Sequence, residues 1–208
     1  MIVKPTGDKI QEAASIIKRG GLVAFPTETV YGLGADGLNP ASVAKVFRAK
    51  KRLSDPLPLH IADRSWLTEL VHLNDKAEAL MDRFWPGALT IILLKKEIVP
   101  NIVTAGLSKV GLRMPNHPVA LQLIQEVGGP ITGTSANITG FPSPTTAKDV
   151  EKYLKDTVEL ILDGGVCKIG LESTILDLTE DPPLLLRRGG LAIEKIESLI
   201  GEVTVIQT

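Results

Sequence analysis

Three short stretches of the chain concentrate side chains that handle anions. "AKKR" supplies Lys50, Lys51 and Arg52 directly after Arg48, and a proline-rich run leads from it to His60. Clustered cations on such a loop can clamp a polyphosphate. They equally suit a solvated helix end, where they offset the partial negative charge of the C-terminus. "GTSANITG" (133–140) sets Ser135, Asn137 and several small residues at the end of an apolar run. Small donors of this kind let backbone N–H groups approach an anion, although Gly, Ser and Asn also build plain turns. "LLLRRGG" ends another apolar run with Arg187 and Arg188, which suits an anion site or a surface ion pair. Arg113 lies inside "VGLRMP", where it is either paired structurally or faces a ligand carboxylate. "LESTILD" adds Glu172, Ser173 and Thr174.

What is missing narrows the chemistry. The sequence has no G-x-x-x-x-G-K-[ST] loop, no zinc motif and no G-x-S-x-G elbow, and His60, His72 and His117 show no metal spacing. Many donors without a nucleophile point to chemistry done by positioning and charge neutralisation, as in phosphoryl or nucleotidyl transfer. Gly32, Gly34 and Gly37 match the G-x-G-x-x-G spacing of a dinucleotide fingerprint, but the context does not. Six residues separate the preceding strand from Gly32, and the next helix begins only after Asn39. The glycines are expected to let a tight loop turn.

The elements that must carry these groups follow from periodicity. Ile10, Ala13, Ala14 and Ile17 mark one face of a helix, and "LVAF" reads as a buried strand. Asn39-Pro40 reads as a helix start, with its end in the basic run, and Asn74 caps a second helix stopped at Pro86-Gly87. "LPLHIA", "LTIILL", "VGLRMP", "PITGTS", "ELILDGG", "STILDL" and "PLLLR" read as strands. "HPVALQLIQEVGG", "TAKDVEKYL" and "AIEKIESLIG" read as helices between or after them. This alternation predicts an α/β or α+β domain on one mixed, twisted sheet.

The 208 residues hold 23 Lys and Arg against 24 Asp and Glu, so any nucleic-acid contact needs a local basic patch. Aromatic residues make up 4%, which offers few platforms for stacking bases. One cysteine, Cys167, excludes an intrachain disulfide and fits a reducing compartment. The N-terminus lacks a signal-peptide pattern and "ALTIILL" is too short to span a bilayer, so a cytoplasmic protein with no membrane association is expected.

In order, "FPTETVYGLG", "AKKR", "LHIA", "RMPNHP", "GTSANITG", "ESTILD" and "LRRGG" resemble the YrdC/TsaC family of L-threonylcarbamoyladenylate synthases, from Ile10 to Ala192. The resemblance implies a twisted mixed sheet with flanking helices around a large electropositive cavity. It also implies a single YrdC-like domain over residues 1–208, without the additional C-terminal domain of longer members. The implied reaction makes threonylcarbamoyl-AMP and pyrophosphate from L-threonine, bicarbonate or CO2, and ATP. A threonylcarbamoyl transferase complex then uses the product to modify adenosine 37 of tRNAs that read codons beginning with A.

By motif position, the resemblance puts Thr29, His60, Arg113 and Ser173 at L-threonine, with Arg113 on its carboxylate. It puts Lys50 and Arg52 of K-x-R, Ser135 and Asn137 of S-x-N, and Asp55, Ser143 and Arg187 at ATP, with Lys50 and Arg52 as the catalytic pair. Mg2+ is expected to arrive on the phosphates. A non-catalytic module that binds tRNA or double-stranded RNA is the alternative. The chain departs from the family pattern in three places: Lys51 stands where glycine is usual, the segment from Arg52 to His60 is one residue short with Asp55-Pro56 for Asn-Pro, and Arg188 replaces a proline.

Overall fold

A computed structural model describes residues 1–52 and 55–205; Leu53 and Ser54 of the shortened loop, and residues 206–208, lie outside the described residues. The strands are β1 (Ile2–Val3), β2 (Val23–Phe25), β3 (Gly32–Gly34), β4 (Leu59–His60), β5 (Leu89–Leu94), β6 (Lys109–Arg113), β7 (Ile131–Thr132), β8 (Thr134–Ser135), β9 (Leu160–Leu162), β10 (Thr174–Asp177), β11 (Leu184–Arg187) and β12 (Thr204–Val205). The helices are α1 (Gly7–Lys18), α2 (Pro40–Lys50), α3 (Leu67–Leu70), α4 (Asp75–Phe84), α5 (Pro118–Val127), α6 (Ala147–Leu154) and α7 (Ile193–Ile200).

The strands form two mixed sheets rather than the single sheet expected, with orders β1-β9-β2-β3-β8 and β12-β11-β10-β5-β6-β4-β7. The physical reason lies at Gly133, the one residue between β7 and β8. The chain leaves β7, paired antiparallel to β4, and enters β8, paired antiparallel to β3. A side chain at 133 cannot be accommodated there, because its Cβ would lie 2.1 Å from Cδ2 of His60. Thr132 laces the sheets together: its N–H donates to Ala35 O at 3.0 Å and its hydroxyl to Leu33 O at 2.8 Å.

The alternation of apolar residues sorts the layers. Tyr31, Leu33, Val43, Val46, Leu59, Leu80, Met81, Leu89, Ile91 and Leu112 join one buried cluster. Ile10 and Ile17 of α1, Phe25 of β2, and Leu123 and Ile124 of α5 form a second, where α1 packs on α5. Such fully buried aliphatic side chains each contribute roughly 1.5–3 kcal/mol relative to exposure.

Gly32 and Gly34 belong to a strand, which corrects the expectation of a turning loop. β3 pairs antiparallel with β2, so Gly32 lies opposite Phe25 and Gly34 opposite Val23. The Phe25 ring covers Gly32 so closely that a Cβ there would sit 2.7 Å from Cζ. The glycine is required for space, not for left-handed backbone.

Candidate active site

A cavity of about 290 Å3 opens where the sheets meet. Its wall is assembled from the ends of elements: the β2–β3 connection, the C-terminus of α2, the end of β6, the β7–β8 crossing with the loop that follows, the start of β10 and the end of β11. Among the described residues of the wall, Lys50, Arg52, Arg113 and Arg187 are cationic and Glu172 alone is acidic.

On one side Thr29, Arg113 and Ser173 converge. Thr27 organises the turn that presents Thr29. Its hydroxyl accepts the N–H groups of Thr29 and Val30 at 3.1 and 3.2 Å and donates to Val30 O at 2.6 Å. Arg113, 4% exposed, closes β6. Its Nε donates to Gly87 O at 3.0 Å and its NH1 to Thr29 Oγ1 at 2.9 Å. NH2 lies 2.8 Å from Glu28 Oε1, an ion pair without hydrogen-bond alignment, so both Glu28 oxygens and NH2 lack a hydrogen-bonded partner. Burial works against the Arg113 charge, and the Glu28 carboxylate supports it. The Ser173 hydroxyl shares a hydrogen bond with Thr90 Oγ1 at 2.8 Å.

On the other side stand Lys50, Arg52, Ser135, Asn137, Ser143 and Arg187. Asn39 caps the start of α2, accepting the N–H groups of Ala41 and Ser42 at 3.0 and 3.3 Å, with Pro40 in the first turn. The helix ends at Lys50, and Lys51 follows with φ of 50°, the left-handed conformation that favours glycine. That turn points Lys50 and Arg52 into the cavity.

The Lys50 ammonium donates to Ser135 O at 2.5 Å, Asn137 O at 2.9 Å and Asn137 Oδ1 at 3.2 Å, which engages all three of its protons. Burial, then Arg52, pulls its pKa down to about 8, with Glu172 opposing. Asn137 is fixed from its other end by donating to Phe141 O at 2.6 Å. Lys50 of K-x-R thus joins Ser135 and Asn137 of S-x-N in one hydrogen-bonded unit, while Arg52 donates to Asp55 and to Pro56 O. Arg187 donates from Nε to Ser173 O at 3.0 Å and pairs through NH1 with Glu172, whose other oxygen accepts from Ser143 at 2.7 Å.

Two residues expected at the ligands stand off the wall. His60 is 1% exposed, packed against Gly133 and edge-on to Phe25 at 6.1 Å. Burial, then the Arg113 charge, holds its pKa well below the usual imidazole value, so it is neutral. Asp55 carries a side chain 67% exposed and accepts from Arg52 Nε at 3.0 Å, outside the cavity lining. His117 occupies the N-cap of α5 without a side-chain cap bond. The sequence reasoning gave no role to Glu28 and no partner to Glu172. The signal for Glu28 was present, as a carboxylate set among hydroxyl and apolar residues directly after a buried strand.

Among the described residues, no group of three or more His, Cys, Asp or Glu is placed to hold a metal ion. Nor is any helix long and apolar enough to cross a membrane.

Comparison with known proteins gives this geometry a family. The Sua5/YciO/YrdC family model, whose description reads "Telomere recombination", matches residues 15–189. The chain is 51% identical over 199 residues to a threonylcarbamoyl-AMP synthase of Pyrococcus abyssi, covering 95% of this chain and 58% of that protein. It is 50% identical over 200 residues to the Bacillus subtilis protein of the same name, with the same coverage of 95% and 58%. A crystal structure of P. abyssi Sua5 complexed with L-threonine superposes with a TM-score of 0.97 at 48% identity, over 99% of this chain and 62% of that one. The chain therefore spans under two thirds of the length of these relatives, and it belongs to the Sua5/YciO/YrdC family.

Proposed function

We propose that the chain is an L-threonylcarbamoyladenylate synthase that joins L-threonine, bicarbonate or CO2, and ATP. The observation that carries this reading is one cavity in which Thr29, Arg113 and Ser173 face Arg52 and the linked Lys50, Ser135 and Asn137 unit, with Arg187 bonded to Ser173. The names of the P. abyssi and B. subtilis relatives, and the threonine in the similar crystal structure, support the substrate class.

In this reading the amino group of threonine takes up CO2 to give a carbamate. One carbamate oxygen attacks the α-phosphorus of ATP, the bond from that phosphorus to the β-phosphate's bridging oxygen breaks, and pyrophosphate leaves. The nucleophile belongs to the substrate, so the protein supplies orientation and positive charge. Arg113 receives the amino-acid carboxylate on the unspent donors of NH1 and NH2, with Thr29 and Ser173 on either side. Arg52 and Arg187 meet the phosphates, while Lys50 holds Ser135 and Asn137 in place beside them. Mg2+ enters as the counter-ion of ATP, since the one wall carboxylate is already paired. His60 and Asp55 act from outside the wall, His60 by filling the space behind Gly133 and Asp55 by orienting Arg52. The reading takes residues 1–208 as one YrdC-like domain whose product passes to a separate threonylcarbamoyl transferase.

The test is incorporation of carbon from labelled bicarbonate into an adenylate. A labelled adenylate formed only with both threonine and ATP is expected. ATP binding without any labelled product would favour a binding module.

A further inference from the structure

Glu172 occupies the site in a way that its chemistry does not require. Its side chain is 33% exposed on the cavity wall, and that of Arg187 is 38% exposed. Oε1 accepts from Ser143 Oγ at 2.7 Å, and Oε2 takes the NH1 of Arg187. Two further Arg187 donors go to Ser173, Nε to its carbonyl at 3.0 Å and one NH2 proton to its hydroxyl at 3.3 Å. Both side chains that the synthase reading gives to the nucleotide in this corner are therefore held by a carboxylate of the same chain. A carboxylate offers an arginine fork two oxygens in much the same arrangement as a phosphate does. The pair is open to solvent, so it can separate without leaving a bare buried charge.

We infer that Glu172 is a specificity-determining residue: its carboxylate is an internal competitor for the Arg187–Ser143 anion subsite, which yields to a polyphosphate and resists a lone phosphate or carboxylate group. A ligand that takes Arg187 must replace Glu172 and then sit beside its negative charge. A polyphosphate offsets that cost by reaching Arg52 on the same wall, whereas one phosphate or carboxylate gains only Arg187 and Ser143. The return of Glu172 to Arg187 would also weaken the hold on released pyrophosphate. The inference rests on the synthase reading for the identity of the nucleotide, but the anion subsite itself is testable without turnover.

The experiment is calorimetric titration of inorganic pyrophosphate and of inorganic phosphate, both without Mg2+, into wild type, Glu172→Gln, Arg187→Ala and the double variant. Glutamine keeps the length and can still accept from Ser143 while losing the charge that holds Arg187. Glu172→Gln should bind pyrophosphate about five- to tenfold more tightly, with a gain at least as large for phosphate. In the Arg187→Ala background that gain should shrink to within about twofold, because the two residues are coupled. Glu172→Asp, which keeps the charge on a shorter arm, should fall between wild type and Glu172→Gln. Unchanged or weaker pyrophosphate binding in both Glu172 variants overturns the inference, as does a gain that survives undiminished without Arg187.

Pyrophosphate release dependent on threonine and bicarbonate, measured on the same preparations, separates the two claims. Release without the affinity gain sinks the competitor and spares the synthase; the gain without release does the reverse.

Discussion

At the scale of single residues, the cavity of the proposed synthase divides its cations between two kinds of anion. Arg113 sits beside Thr29, whereas Arg52 projects from the helix end near Lys50. Each variant to alanine should lose about 1.5–3 kcal/mol of ligand affinity, or one to two decades. Arg52→Ala should weaken ATP more, and Arg113→Ala should weaken threonine more, by titration of each ligand alone. Equal damage to both ligands would remove the assignment. Lys50 adds a pH test. Its pKa of about 8 means that the ammonium loses a proton, and with it one donor to Ser135 or Asn137, as the pH rises through that value. The catalytic profile should fall above about pH 8, and the residual activity of Lys50→Arg should lack that limb.

His60 tests the packing behind the wall. The unfolded chain takes up a proton near pH 6.5 that the folded chain refuses, so stability falls as pH drops through about 6.5, by up to about 1.4 kcal/mol per unit from this group. His117 is also held down by burial and adds in the same direction. Denaturant unfolding of His60→Asn across that range should show a shallower acid slope than wild type. Residue types and order made Thr29, Arg113, Ser135, Asn137 and Arg187 legible as one set. The placement of His60 behind Gly133 was not, because it depends on where β4 meets β7.

At the scale of elements, the caps were the most readable features and the glycines the least. Asn39 and Asn74 both accept helix N-terminal N–H groups, as their side-chain chemistry demands. Lys51 shows the reverse case. The resemblance marks position 51 as usually glycine, and the φ of 50° there supplies the reason. Lys51→Gly should stabilise the chain by about 0.5–1 kcal/mol in denaturant unfolding, the relief of left-handed strain less the added freedom of the unfolded chain. No change or a loss would mean that the turn accommodates lysine without strain.

The G-x-G-x-x-G stretch misled because spacing alone does not distinguish a glycine needed for its φ from one needed for its size. Only the partner strand reveals Phe25 lying across Gly32. Gly32→Ala should cost about 1–3 kcal/mol by overpacking, and Phe25→Leu in that background should recover part of the loss. Additive losses would show that the two positions do not compete for space.

At the scale of the whole molecule, the strand and helix pattern was sufficient for the α/β class but not for the division into two sheets. The division turns on β7 and β8, each two residues long, separated by Gly133 within a stretch that reads as one strand. It also creates the cavity, since the wall residues come from the strand and helix ends gathered at this crossing. Composition alone gives no sign of that wall, with nearly equal numbers of acidic and basic residues, whereas the order of motifs singles out its arginines and lysine. Folding brings Lys50, Arg52, Arg113 and Arg187 together in one lining. A cavity with this charge also fits RNA, and the two functions differ in salt response. RNA backbone binding should weaken steeply as salt rises. Turnover of small substrates enclosed by the wall requires both co-substrates whatever the salt. The central claim is therefore tested most directly by pyrophosphate release from ATP and Mg2+ with purified protein, omitting threonine and bicarbonate in turn. The account predicts release only when both are present; release that ignores threonine, or none despite measured ATP binding, would contradict it.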